Sequence, residues 1–324
     1  MKEIDTRRDG VIAPKDALQG VLREPDAVAW LDDTRFVTAN EGDYQGGSRG
    51  FSIWNVDGKV EYDSGAFLDH EAIRLGHYPE KRSGAKGNEP EGAEVGVFGK
   101  DRLIFIGSER SSLVSVWQTG PWQSAAPQSL VGPRPLPQRA VAQPTVRPGV
   151  SIYARTAAQP VYPTLMSSDS ASGTPIAWGA ISGLTADRQR TNTLWAVTDS
   201  AYAHARILKI DTSLTPAMVT DELVVRANGK PVPGLDAEGV AQREDGSFWI
   251  ASEGNPDAKG VLCPTCCCAC LPKAKCRSVL SCLPRCSPKP NALAWRVWPS
   301  QAVVPTKPCG WQCNANGRTT PKAW

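Results

Sequence analysis

The chain has 324 residues, 41% hydrophobic and 21% charged, a composition that excludes wholesale disorder, collagen and a membrane-embedded bundle. Its formal charge of +3 averages two unlike stretches: residues 1–260 carry 27 Lys or Arg against 33 Asp or Glu, whereas residues 261–324 carry nine basic side chains and no acid. All ten cysteines fall in the second stretch, from Cys263 to Cys313.

The first ten residues are polar and charged, without the apolar core of a secretory signal. This N-terminus therefore carries no signal peptide, and by itself it predicts a cytosolic product. No run approaches the ~18 apolar residues that a membrane span needs. Strand signals dominate residues 1–118: β-rich runs at Arg35–Ala39, Phe51–Val56 and Arg102–Gly107, separated by turn formers such as Asp57-Gly58 and Gly46-Gly47. Helical periodicity is nearly absent. From Arg110 to Ser168 there is no acid, and Pro121–Pro148 holds seven prolines without strand alternation. The strand style resumes over 150–260, with runs at Thr193–Thr198, Ala205–Ile210 and Ser247–Ser252. Beyond 260 the basic, cysteine-rich tail is expected to be disordered.

Internal similarity carries more information than any single run. Glu24–Glu41, Glu89–Glu109 and Leu235–Glu253 share a pattern, which Ile181–Asp199 follows more loosely: an acidic or small polar start, a strand, a polar turn, and a second strand ending in a small residue and an acid. Such a hairpin buries no core alone, but several arranged radially bury their faces on one another, the logic of an all-β propeller. Because the two strands are antiparallel, both acids of a repeat lie at one end of the hairpin. The closing acids Glu41, Glu109, Asp199 and Glu253 are 68, 90 and 54 positions apart. Long loops are implied, and the widest gap has room for one further blade.

The motifs themselves resemble two known families. Arg23-Glu-Pro-Asp-Ala-Val-Ala-Trp30, Thr38-Ala-Asn-Glu-Gly-Asp43, Gly46-Gly-Ser-Arg-Gly-Phe51, Gly87-Asn-Glu-Pro-Glu-Gly92 and Gly107-Ser-Glu-Arg110 are similar to cell-envelope propellers of the choice-of-anchor I type. Trp178–Asp187, Val197–Tyr202, Asp236-Ala-Glu-Gly-Val240 and Trp249–Asn255 resemble the phytase-type, esterase-like domain. The resemblance implies an incomplete β-propeller, periplasmic or extracellular, calcium-dependent, acting on phosphate or other esters. The alternative is a noncatalytic, ligand- or partner-binding propeller of the cell envelope. The expected division is propeller blades over 1–118, an aberrant Pro-rich segment over 119–149, phytase-like blades over 150–260, and the tail over 261–324. Loss of acids with gain of Pro, Arg, Ala and Cys reads as translation in a shifted frame at both aberrant stretches.

The repeated carboxylates are the strongest chemical lead. Clustered like charges are unfavourable without a neutralising cation, and hard oxygen ligands without Cys or His suit Ca2+. The expected metal ligands are Glu41, Asp43, Glu91, Glu109, Asp199, Asp236, Glu238 and Glu253, within a wider acidic set that includes Glu24, Asp26, Glu89 and Glu94. The competing reading pairs these acids with Arg49, Arg110 or Arg188, or spends them capping turns. If the chain is a phosphoesterase, Arg49 or Arg110 clamps phosphate in bidentate fashion, and a carboxylate such as Glu91 or Glu238 acts as base toward water. Three histidines, His70, His77 and His204, assemble no triad, and Ser48, Ser108, Ser182 and Ser200 sit in no Gly-x-Ser-x-Gly elbow. Arg82–Gly87 is a basic, Gly-containing loop whose amides are placed to cradle an anion. The tail cysteines, Cys263-x-x-Cys266 among them, have zinc-like spacing. Its charge and tryptophans specify no nucleic-acid partner, and the expected partner is a small ester bound by a monomer.

Overall fold

In a computed structural model of the chain, residues 1–42, 44–119, 127–131, 152, 154, 155, 162–227, 229–232, 235–252, 266–271 and 275–281 are described, with the backbone alone given for 127–131 and the last two stretches. A short ribbon of β1 (Lys2–Ile4) and β2 (Asp16–Ala17) is followed by four meandering sheets. The first contains β3 (Pro25–Asp32), β4 (Arg35–Asn40), β5 (Phe51–Asn55) and β6 (Val60–Asp63), hydrogen-bonded in chain order. After helix α1 (Phe67–Arg74), the second contains β7 (Pro90–Phe98), β8 (Asp101–Ser108), β9 (Leu113–Thr119) and β10 (Pro127–Val131).

The third sheet is built from β11 (Leu165–Ser167), β12 (Ile181–Ala186), β13 (Thr193–Thr198), β14 (Arg206–Asp211) and β15 (Ala217–Val224). Here β12 to β15 form the meander, and β11 pairs in parallel with the outer strand β15. The fourth holds β16 (Arg226–Ala227), β17 (Lys230–Pro231), β18 (Ala237–Gln242), β19 (Phe248–Ser252), β20 (Cys266–Leu271) and β21 (Lys275–Ser281), with β18 to β21 as its meander. The expected strands are all present. What is described of the Pro-rich segment is the strand that completes the second sheet, and what is described of the tail is two strands that complete the fourth. The remainder of both segments, with the tail's cysteine chemistry, lies outside the described residues.

This architecture is an incomplete all-β propeller. Its inner strands pack side by side in pairs, β3 against β7 and β12 against β18. Burial follows from that packing: β4 is covered on both faces, so Val37 and Ala39 are buried on one side and Thr38 and Asn40 on the other, where the two polar side chains bond each other. One core joins the first two sheets through Leu31, Val37, Phe51, Ile53, Ile104, Ile106 and Trp117. Trp117 meets Phe51 and Phe67 edge-on at centroid distances of 4.8 and 4.9 Å. A second core joins sheets three and four through Trp195, Val197, Ile207, Phe248 and Ile250. Helix α1, missed in the sequence because two turns give too little periodicity, contributes Ala72 and Ile73 to a third cluster with Leu113 and Ala177.

All four inner strands carry a bulge at the same place. The ladder shifts between Pro25 and Ala27, Pro90 and Gly92, Ile181 and Gly183, and Ala237 and Gly239. The extra residues are Asp26, Glu91, Ser182 and Glu238, and a bulge re-aims the side chain it carries. In the first three sheets the inner strand is preceded by a residue in the left-handed region, Glu24 at φ 49°, Glu89 at 51° and Ala180 at 46°. Each of those residues accepts, through its carbonyl, the amide of the residue that closes the second strand: Glu41, Glu109 and Asp199.

Trp117→Ala is expected to lower stability by about 3–5 kcal/mol, the usual cost of truncating a buried aromatic, read as a shift of the urea midpoint. A second expectation concerns Asp32, whose carboxyl is held well below the usual carboxylate range, first by the Arg35 side-chain hydrogen bonds at 2.6 and 2.9 Å. A depressed folded pKa gives stability that is present above the unfolded value near 3.9 and is lost as pH falls through the folded one. With both groups partly solvent-screened, Asp32→Asn should remove about 1 kcal/mol at pH 6 and nothing at the acid end, measured by denaturation across that range.

Candidate functional site

The bulges and strand ends bring together two sets of three carboxylates. Glu41, Glu89 and Glu91 converge at the junction of the first and second sheets, and Asp199, Asp236 and Glu238 at the junction of the third and fourth, with ligand atoms within 4.8 Å of one another in each set. The sets are topologically equivalent. Glu41 and Asp199 follow the second strand of a sheet, Glu89 and Asp236 precede the next inner strand, and Glu91 and Glu238 are its bulged residues. In the third sheet the places that precede and begin the inner strand hold Ala180 and Ser182 instead of acids, and no third set is found among the described residues. Asp43 and Glu253 lie outside the described residues.

The two sets differ in their counter-charges. Glu89 is fully buried and meets three cations: Arg82 Nε at 2.5 Å on Oε1, Arg110 Nε at 3.0 Å and Lys86 Nζ at 3.6 Å on Oε2. Lys86 also bonds Glu41 Oε1 at 2.5 Å, and Arg110 reaches Glu109 at 3.1 Å. Arg82 and Lys86 are delivered by a turn of near-helical chain after Pro79, in which four residues' separation puts them on one side. The amides of Ala85, Lys86 and Gly87 all donate to the Arg82 carbonyl. These amides are thus satisfied internally, which removes the anion cradle expected of this loop. Within this set burial first, then Glu109 and Glu41, push the Glu91 carboxyl up to about 7.

In the second set, no Lys or Arg among the described residues forms an ion pair with Asp199 or Asp236. Burial, then the hydrogen bond and charge of Asp199, raises the Asp236 carboxyl, while the hydrogen bond with Asp236 lowers that of Asp199. The Ser200 amide supports both acids, bonding Asp199 Oδ1 closely and Asp236 Oδ1 at 3.3 Å. Oxygen-only donors and three converging carboxylates fit a hard divalent cation such as Ca2+. Two backbone devices fix this set. Ser182 Oγ donates to the carbonyl of Ala237, the residue between Asp236 and Glu238. Gly183 lets the inner strands touch, since a Cβ there would lie 2.9 Å from Gly239 Cα and 3.0 Å from the Glu238 carbonyl.

The remaining expected site residues separate clearly. Arg110 is at the first set with nearly half of its side chain exposed. Arg49 is not available to clamp a phosphate. Its side chain is 1% exposed and bonds the Asp5 carbonyl at 2.8 Å and the Ser83 carbonyl at 2.6 Å, with Asp69 at 3.6 Å. Gly87 makes room for it, because a Cβ there would fall 2.9 Å from Arg49 Cδ in a backbone already at φ 58°. Glu24 caps the amides of Tyr44 and Gln45. His77 accepts or donates between Ser111 and Tyr162 in a structural bridge. Sequence reasoning underweighted Glu89, although the match of Glu89-Pro-Glu91 to Asp236-Ala-Glu238 was its signal.

Fold and site together define a propeller-type protein with acidic clusters at the entrances of its inner strands. Residues 44–120 match the family model described as the choice-of-anchor I domain, and residues 176–264 the one described as "Esterase-like activity of phytase". These are the families that the sequence motifs resemble. No curated protein matches the chain. Among solved structures, a chain of the "Crystal Structure of Mitotic Checkpoint Complex" aligns over 79% of this chain and 53% of its own length, at 7% identity and a TM-score of 0.21. The present chain therefore spans about half of that one, and the likeness carries no argument. No helix among the described residues is long and apolar enough to cross a membrane.

Arg49→Leu should lower stability by about 3–5 kcal/mol, because it strands the buried Asp69 charge. Arg49→Leu combined with Asp69→Leu should cost less than Arg49→Leu alone, a difference measured in a double-mutant denaturation cycle.

Proposed function

We propose that the chain is a calcium-dependent ester hydrolase of the phytase-like type, acting as a secreted or periplasmic monomer on phosphate or other small esters. The observation that carries this reading is the convergence of Asp199, Asp236 and Glu238 inside the phytase-like stretch, with no lysine or arginine among the described residues paired with Asp199 or Asp236. These three residues would hold the ion. When bound, Ca2+ would supply charge neutralisation for ester oxygens and a polarised water.

The chain's own residues supply the rest. Asp199 and Asp236 would hold the ion in their ionised forms, which a bound cation would favour. Propeller topology puts every inner-strand entrance at one end, so Arg110 presents its exposed guanidinium on the same mouth, suited to a phosphate oxygen pair. Glu91, held up to about 7 by burial, Glu109 and Glu41, serves as the proton acceptor toward water near neutral pH. Arg49 has no part in this chemistry and keeps the loop after α1 in place.

A second reading, a noncatalytic binding propeller of the cell envelope, is favoured by the choice-of-anchor I match over 44–120. The two separate on one experiment. Release of p-nitrophenol from its phosphate and acetate esters is measured with Ca2+ and with EDTA, for the full chain and for Asp236→Asn. The hydrolase reading expects turnover that needs Ca2+ and falls about 100-fold or more in Asp236→Asn, the effect of losing a few kcal/mol of metal stabilisation. The two esters decide the substrate class. No turnover above blank with either ester overturns the hydrolase and leaves the binding propeller.

A further inference from the structure

The two carboxylate sets occupy equivalent places in the fold, yet cations meet Glu41 and Glu89 in the first, whereas no Lys or Arg among the described residues pairs with Asp199 or Asp236 in the second. The difference traces to the segments that precede the inner strands. Before β7 the chain makes a near-helical turn, with the Lys86 and Gly87 amides both returning to the Arg82 carbonyl. That turn aims Arg82 and Lys86 at the carboxylates. Before β18 the chain instead makes the β16–β17 hairpin, whose Arg226 and Lys230 are exposed, with Arg226 bonding the Gly229 carbonyl. No charge is delivered from there to Asp199 or Asp236.

The placement of Lys86 is specific. Its side chain is 13% exposed, and its ammonium sits 2.5 Å from Glu41 Oε1 and 3.6 Å from Glu89 Oε2, on two of the three converging carboxylates. A lysine largely withdrawn from water is stable only beside compensating charge. Resting on the calcium reading of the second set, we propose that Lys86 is the resident cation of the Glu41–Glu89–Glu91 set. Its ammonium stands where the equivalent set takes a metal ion, so that the junction of the first two sheets is metal-independent and cation uptake is confined to Asp199–Asp236–Glu238.

Arg82 and Arg110 complete the arrangement by engaging both oxygens of Glu89. They leave the Glu41 oxygen to Lys86. Removing the ammonium without changing the length of the side chain should therefore uncover a vacancy at Glu41 and Glu91 that a divalent ion can fill. Replacing Lys86 by arginine should not.

The test compares the full chain with Lys86→Met, Lys86→Arg and Lys86→Met combined with Glu41→Gln, all stripped with EDTA and then titrated with Ca2+ or Tb3+. Bound ions per chain and melting temperature are both read. Lys86→Met should melt at least about 2 °C below the parent in EDTA, regain that loss on addition of Ca2+, and bind one ion more than the parent. Adding Glu41→Gln should abolish both gains, and Lys86→Arg should behave as the parent. A parent that already binds an ion sensitive to Glu41→Gln, or a Lys86→Met chain that gains no ion, would overturn the proposal. Asp236→Asn reports on the other set separately. A parent that binds no ion defeats the calcium reading, whereas the gain in Lys86→Met still decides the role of Lys86.

Discussion

Like charges gathered at the entrances of the inner strands are the constraint on which the rest of this structure turns. A propeller brings the end of one sheet's second strand against the start of the next inner strand, and in this chain both places carry acids. Carboxylates within a few ångströms of one another must protonate, find a cation, or move apart. The chain uses two of these solutions at equivalent junctions. At the first, Arg82, Lys86 and Arg110 meet Glu41, Glu89 and Glu109, and Glu91 keeps its proton to about 7. At the second, burial and the neighbouring Asp199 raise the Asp236 carboxyl toward its neutral form.

The spacing of the acids makes the crowding possible. In extended chain, residues two apart lie on one side, as Glu89 with Glu91 and Asp236 with Glu238. The bulge at the head of each inner strand leaves Glu91 and Glu238 without a ladder partner, and so re-aims side chains that would otherwise follow the sheet. The same device appears at Asp26 and Ser182, which belong to no set of three acids among the described residues. It therefore belongs to the repeat and not to the site. Residue type at the bulge then decides what each junction can do: acid in three sheets, and in the third a serine that ties the neighbouring backbone through Ala237.

Much of this was legible in the sequence. Strand runs such as Thr193–Thr198 are read correctly because a blade buried on both faces leaves a continuous apolar signature, and the acid-to-acid repeat located Glu41, Glu91, Asp199, Asp236 and Glu238. The family matches end at residues 120 and 264, close to the two points where acids vanish from the composition. What was not legible depends on side chains far apart in sequence. Arg49 stands in a Gly-rich motif that suggests an anion site, but its burial is set by Asp5, Asp69 and Ser83, at separations of 44, 20 and 34 residues. No local pattern encodes such a contact. The basic loop 82–87 was legible as charged, and only the fold shows that its charges turn inward to Glu89 and Glu41.

The two junctions also differ in what holds them together. The first is an ionic web whose strength depends on Arg82, Lys86 and Arg110 staying charged, and two of these are substantially exposed and hence screened by salt. The second is held by backbone: Gly183 against Gly239, and the Ser182 hydroxyl on the Ala237 carbonyl. Backbone contacts do not relax when salt rises, so the approach of Asp199 to Asp236 does not depend on ionic strength as the first junction's ion pairs do. Burial, together with the neighbouring Asp199, raises the Asp236 carboxyl. The first junction is therefore the one that salt loosens, and the second the one in which neighbouring acids oppose each other's ionisation.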